Sequence, residues 1–119
     1  MNMKVLVVDD SSTMRKIIIR SLEAVGVTGS AEAGDGNEAL AKFKQDHFDL
    51  ILTDWNMPNK NGLELVKDVR AIGGTLPIIM ITTEAEKPRV IEAVTAGVSD
   101  YLIKPFTADA LRAKLTKFV

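Results

Sequence analysis

Four short apolar runs in this chain each stop at a polar residue. Val5–Val8 ends at Asp9-Asp10, Leu50–Thr53 at Asp54, Ile78–Ile81 at Thr82, and Tyr101–Ile103 at Lys104. Helical spacing fills the intervals, so the runs read as parallel strands of one sheet. Strands without polar alternation are buried on both faces, which calls for helices on both sides. Right-handed crossovers then restrict the chain to a doubly wound (βα)5 sheet. Ligands of open α/β sheets bind outside the carboxyl ends of the strands. The pattern therefore gathers three carboxylates, a hydroxyl and an ammonium in one crevice. In a flavodoxin-like strand order, 2-1-3-4-5, that crevice lies between strands 1 and 3, where Asp9, Asp10 and Asp54 end.

Along the chain, Ser11-Ser12 offers an N-cap for a helix carrying Met14, Ile17, Ile18, Leu22 and Val25, which Gly26 closes. Thr28 to Ala33 is a weak strand expected at the sheet edge. Gly34-Asp35-Gly36 turns into a helix with Ala39, Leu40 and Phe43. Trp55 to Gly62 has the composition of a loop. The next helix shows Leu65, Val66, Val69 and Ile72, and Gly73-Gly74 ends it. Pro77 opens the fourth strand. Pro88 suits the first position of the fourth helix, which is expected to bury Ile91 and Val94 and to stop at Gly97. The last helix carries Leu111, Leu115 and Phe118.

The 119 residues fit one domain, 1–119, and 46 % apolar with 26 % charged residues is an ordinary globular balance. A net charge of -1 makes no electrostatic case for nucleic acid or an anionic membrane. The absence of cysteine excludes disulfides, thiolate metal sites and thiol catalysis. Apolar stretches are strand-sized, too short for a bilayer. The first strand begins by Lys4, which leaves no room for a signal peptide, so a cytoplasmic location is expected.

Three carboxylates at adjacent strand ends repel. At ~4 Å and an effective dielectric near 20, each pair costs about 4 kcal/mol. Either one carboxylate protonates or a cation binds. Oxygen donors with no His or Cys nearby select a hard divalent ion, and Mg²⁺ suits a small open site that meets a phosphate oxygen. A backbone carbonyl from the loop after Asp54 can add a ligand. Lys104 precedes Pro105, which favours an extended backbone, and its ammonium suits a carboxylate at rest or a phosphate after reaction. Thr82 either hydrogen-bonds a phosphoryl oxygen or caps its strand. A carboxylate beside Mg²⁺ and a lysine is a competent nucleophile toward phosphorus. Asp54 sits centrally and is the candidate nucleophile.

Val7-Val8-Asp9-Asp10, Asp54-Trp55-Asn56-Met57-Pro58 with Gly62, Ile81-Thr82 and Lys104-Pro105-Phe106 together resemble the receiver domain of two-component response regulators, over the whole chain. Ser12-Thr13-Met14-Arg15 and Lys104 to Ala108 are similar to the chemotaxis regulators of that family. The family is itself an example of the 2-1-3-4-5 order, so strand order and resemblance form one expectation. The resemblance implies that Asp54 accepts a phosphoryl group from a CheA-like sensor histidine kinase. It implies Mg²⁺ on Asp10, Asp54 and the Asn56 carbonyl, with Asp9 ligating directly or through water. Thr82 and Lys104 would bind the phosphoryl group, and Tyr101 would be the switch aromatic that turns inward when Thr82 moves. The Lys104-Pro105 bond would be cis, and helix 4, strand 5 and helix 5 would form the output face. Asn56 and Glu84 match positions that influence phosphate lifetime.

Thr83 stands where the family usually has Ala or Gly, and its β-branch crowds the approach of water or a donor. Asn61 replaces a common Asp before Gly62, and either residue can cap the following helix. Ser11 replaces a Phe found after the acidic pair in enteric relatives, which bears on contacts with a phosphatase. Other residues have plainer readings: His47 as a surface group, the Met residues other than Met1 as core filler, Trp55 as partly exposed. Arg112, Lys114 and Lys117 read as a solvated face or as steering for an acidic partner peptide.

The expected function is a stand-alone, monomeric phosphoacceptor switch in chemotaxis or flagellar motor control, not an enzyme. It would catalyse only its own phosphorylation from a phosphohistidine donor and its own dephosphorylation. Because the chain stops after its fifth helix, output is expected through a protein target such as a motor switch component. The alternative is a phosphorelay intermediate passing phosphate to a second histidine protein. An Mg²⁺-dependent aspartyl phosphatase would commonly carry a second Asp two residues after the nucleophile, where Asn56 stands. A flavin module would meet repulsion between its phosphate and Asp9-Asp10.

Overall fold

The computed structural model describes residues 2–118; Met1 and Val119 lie outside the described residues. Five parallel strands, β1 (Lys4–Val8), β2 (Gly29–Ala33), β3 (Leu50–Thr53), β4 (Ile78–Thr82) and β5 (Asp100–Ile103), form one sheet in the order 2-1-3-4-5. They alternate with α1 (Ser12–Ala24), α2 (Gly36–Gln45), α3 (Gly62–Ala71), α4 (Lys87–Ala96) and α5 (Ala108–Leu115), the last followed by a 3₁₀ turn over Thr116–Phe118. The expected fold and the edge position of β2 hold.

Alternate strand residues feed two cores, as the two-residue strand period requires. Leu6, Val8, Ile51, Ile78 and Met80 pack with Ala39 of α2, with Leu65, Val66 and Val69 of α3, and with Ala93 of α4. Val5, Val7, Leu50, Leu52, Ile79 and Ile81 pack with Ile18 and Leu22 of α1 and with Leu111 and Leu115 of α5. The caps sit where the polar residues stand: Ser11, Asp35, Asn61 and Thr107 each accept an amide from the first turn, and Asn61 forms a capping box with Glu64.

Four expectations need correction. Ile91 and Val94 are exposed, at 54 % and 57 %. Helix α4 turns Ala93 to the sheet instead, and the larger side chains face out. Ile17 and Ile72 are also exposed, one on the outer face of α1 and one at the C-cap of α3. Trp55, expected partly exposed, is 3 % exposed, in a core cluster with Met80 and Ala93. Pro88 occupies the second position of α4, after Lys87; the N-cap, Glu86, makes no side-chain cap.

Two features set the geometry at the carboxyl edge of the sheet. Val8 is in register with Thr53, and Thr82 with Ile103. Thr53 is in register with Met80, and Met80 with Tyr101, so Asp9 and Asp54 emerge at one level, while Lys104 leaves β5 two residues further on and its long side chain reaches back to both. At Gly62 the loop after β3 folds back on its origin, with the Gly62 amide donating to the Trp55 carbonyl. A Cβ there would lie 1.9 Å from the Asp54 carbonyl oxygen, so only glycine closes the loop.

Candidate metal and phosphoryl site

Asp9, Asp10 and Asp54 each place a carboxylate oxygen within 4.8 Å of the others. Asp9 is buried, Asp54 is partly buried and Asp10 is exposed. The Asp9 carboxylate accepts from the Ser11 amide at 2.9 Å and from the Lys104 ammonium at 2.7 Å. Asp54 accepts from the Trp55 amide at 2.6 Å through Oδ1 and from Lys104 at 3.1 Å through Oδ2. One ammonium thus bridges two of the three acids. Burial alone pulls the Lys104 pKa down, but the Asp9 hydrogen bond and the Asp54 charge outweigh it and hold the pKa above the ordinary 10.5.

Three negative charges against one positive leave the cluster two charges short of neutral. Its donors are all oxygens, with no thiol or imidazole among the cluster residues. That set fits a hard divalent cation. The side chains of Asp9, Asp10 and Asp54, with backbone oxygen from the adjoining loop, are the groups able to hold it.

Thr82 is fully buried at the end of β4, and its hydroxyl accepts from the Glu84 amide at 3.4 Å. Lys104 donates its own amide to the Thr82 carbonyl at 2.9 Å, which ties the two strand ends together. The Lys104-Pro105 bond is cis. The Tyr101 hydroxyl donates to the Glu84 carbonyl at 2.6 Å, and burial, then the Glu84 charge, raises its pKa above the ordinary value. Asn56 Nδ2 donates to the Glu84 carboxylate at 2.9 Å, bridging the loops after β3 and β4. Thr83 is exposed beside them.

Two cations at this edge drew no functional reading from the sequence. Arg15 donates to the Asp9 carbonyl at 2.6 Å and pairs with Glu32 at 2.9 Å. Its signal is its place one turn into α1, which starts directly after the acidic pair. Arg89 of α4 lies over the Trp55 ring, 5.2 Å from the centroid; no local pattern in the sequence marks it. Elsewhere, His47 is exposed and sits 3.0 Å from Asp49. Lys114 and Lys117 do not merely face solvent: both donate to Asp100 at 2.9 Å, while Arg112 is exposed. Among the described residues no helix is long and apolar enough to cross a membrane.

The response regulator receiver domain model matches residues 5–116. Among curated relatives, the chemotaxis protein CheY-3 of Vibrio cholerae serotype O1 is 48 % identical over 118 residues, covering 98 % of this chain and 91 % of its own. The chemotaxis protein CheY of Pseudomonas aeruginosa is 48 % identical over 117 residues, covering 97 % and 94 %. Among solved structures, CheY4 of Vibrio cholerae superposes with a TM-score of 0.90 at 38 % identity, covering 98 % of both chains. The receiver domain of Francisella response regulator 1452 superposes with a TM-score of 0.91 at 33 % identity, covering 98 % and 96 %.

Proposed function

The chain belongs to the response regulator receiver domain family, and from that premise we propose that it is a chemotaxis switch phosphorylated on Asp54. The observation that carries this reading is the convergence of Asp9, Asp10 and Asp54 on one point, with Lys104 bridging Asp9 and Asp54. The Asp54 carboxylate attacks the phosphorus of a phosphohistidine on a sensor kinase, and the imidazole leaves with the bonding electron pair. Asp10, Asp54 and the Asn56 carbonyl would hold Mg²⁺, with Asp9 acting directly or through water. When bound, that ion neutralises the acids and the oxygens of the incoming phosphoryl group.

Lys104 is already charged and aimed at Asp54, so it can pass from carboxylate to phosphoryl oxygen with little movement. The Thr82 hydroxyl, held only by a 3.4 Å contact, is free to turn to the phosphoryl group. Its movement loosens the Glu84 amide, and the Glu84 carbonyl is the anchor of the Tyr101 hydroxyl. Phosphorylation reaches Tyr101 through that loop and biases an existing equilibrium by its contacts with Thr82 and Lys104. The output surface is the face of α4, β5 and α5, which carries Ile91, Val94 and Ile103 exposed. A flagellar motor component is the target that the chemotaxis relatives suggest. Asn56, Thr83 and Glu84 line the route of water to the phosphoryl group and set its lifetime. The location is cytoplasmic.

Acetyl phosphate supplies the test. With Mg²⁺, intact mass should rise by one phosphoryl group, and Trp55, whose amide holds Asp54, should change its fluorescence. Neither change should appear without Mg²⁺ or in Asp54→Asn. A phosphorylated Asp54→Asn protein would reject the assignment.

A further inference from the structure

We infer that Arg89 is a donor-binding residue: its guanidinium, stacked over Trp55 beside the acidic crevice, makes the first positive contact with an anionic phosphodonor. This deepens the phosphoacceptor reading and rests on it.

Charge makes such a residue necessary. Asp9, Asp10 and Asp54 converge there, with Glu84 on the adjoining loop bonded to Asn56; Lys104 bridges two of the acids, and the charge of Arg15 is already matched by Glu32. A bound divalent ion still leaves an excess negative charge. A phosphoryl donor is itself an anion, so its approach is repelled unless a cation stands on the rim.

Arg89 is placed for that. Its Cζ lies 5.2 Å from the centroid of Trp55, the residue whose amide holds Asp54 Oδ1. Its charge and that of Asp54 act on the Tyr101 hydroxyl with opposite sign. The guanidinium is not consumed by an intrahelical pair: Nη1 is 3.6 Å from Glu92 Oε1, beyond hydrogen-bond length, and the side chain is half exposed. A guanidinium stacked on a ring keeps its N–H fork available for bidentate contact with a phosphoryl group. Its position also runs against local stability. The first turn of α4 has no acidic residue and its N-cap makes no side-chain bond, so a cation there opposes the helix dipole.

In the transfer, an Asp54 oxygen bonds to phosphorus, the bond from phosphorus to the leaving oxygen or nitrogen breaks, and the leaving group departs with the pair. Arg89 takes no part in that exchange. Its effect falls on the encounter, and therefore on the second-order rate constant.

The experiment follows intact mass over time for the wild type, Arg89→Ala, Arg89→Lys and Arg89→Glu, with acetyl phosphate and Mg²⁺, at low and high salt. Arg89→Ala should be about fivefold slower at low salt and Arg89→Glu slower still, the gap closing near ~0.5 M salt. Arg89→Lys should stay within about twofold of wild type because the charge remains. Phosphoramidate, which carries less net negative charge, should show a smaller loss than acetyl phosphate. Mg²⁺ affinity by calorimetry reads the acidic cluster separately. Rates equal to wild type in Arg89→Ala overturn the inference. So does a loss that ignores salt and is shared by Arg89→Lys, since that marks a merely loosened α4. A wild-type protein that takes no phosphoryl group on Asp54 fells the phosphoacceptor reading, and this inference with it.

Discussion

Asp10 differs from its two neighbours in what surrounds it. Asp9 and Asp54 share Lys104 and each accept a backbone amide. Asp10 is exposed and has no ion pair among the described residues, yet its carboxylate lies within 4.8 Å of theirs. Without metal it adds repulsion and no contact. Asp10→Asn should therefore stabilise the metal-free protein by about 1 kcal/mol, well under the fully buried value because water screens an exposed charge. The same change should weaken the stabilisation that Mg²⁺ confers. Urea unfolding with and without Mg²⁺ measures both. A metal-free Asp10→Asn protein less stable than wild type would show that the carboxylate has a partner that this account lacks.

At the scale of elements, the joint between β5 and α5 has its own electrostatics. Asp100 opens β5 and accepts from Lys114 and Lys117, each at 2.9 Å. Burial pushes its carboxyl pKa up, but the lysine hydrogen bonds and the Tyr101 amide outweigh it and hold the pKa below 3.8. The depressed value fixes the sign: the stability it contributes is full above 3.8 and is lost as pH falls through the lower folded value. Asp100→Asn should cost about 1 kcal/mol at neutral pH and nothing near pH ~2. Unfolding across that range tests it, and a gap unchanged in acid would refute the pairing. This joint was not legible in the sequence, where Lys114 and Lys117 looked like solvent-facing charges, because the partner lies on another element. The strands were legible, because β1, β3 and β4 are apolar without alternation and each ends at its polar residue, whereas their order came with the family resemblance. The inner face of α4 was misread for a related reason. Hydrophobic size marks Ile91 and Val94, whereas the face that α4 buries carries Ala93. Trp55 was misread because turn residues follow it at once, while its ring folds back into the core. The acids and Lys104 were legible because strand ends place them. Arg89 was not, because its contact with Trp55 joins α4 to the loop after β3, which the sequence separates.

The crevice belongs to the molecule as a whole. Lys104 meets Asp9 across 95 positions of chain and Asp54 across 50, so its ligands come together only when β1, β3 and β5 are all in place. An unfolded chain cannot present that set. A divalent ion that binds the native crevice and not the unfolded chain must stabilise the entire fold, by ~1.4 kcal/mol for each tenfold rise in its concentration above the dissociation constant. The thermal midpoint should rise steadily with Mg²⁺ at constant ionic strength and fall back when a chelator is added. The rise should be blunted in Asp54→Asn, which removes a ligand and leaves the sheet intact. It should also fade as pH drops into the carboxylate range, near about 4, where protons compete for the same oxygens. Scanning calorimetry at matched salt gives all three readings. A midpoint indifferent to Mg²⁺ at neutral pH, or an Asp54→Asn protein that responds as strongly as wild type, would mean that the three acids do not act together on one ion.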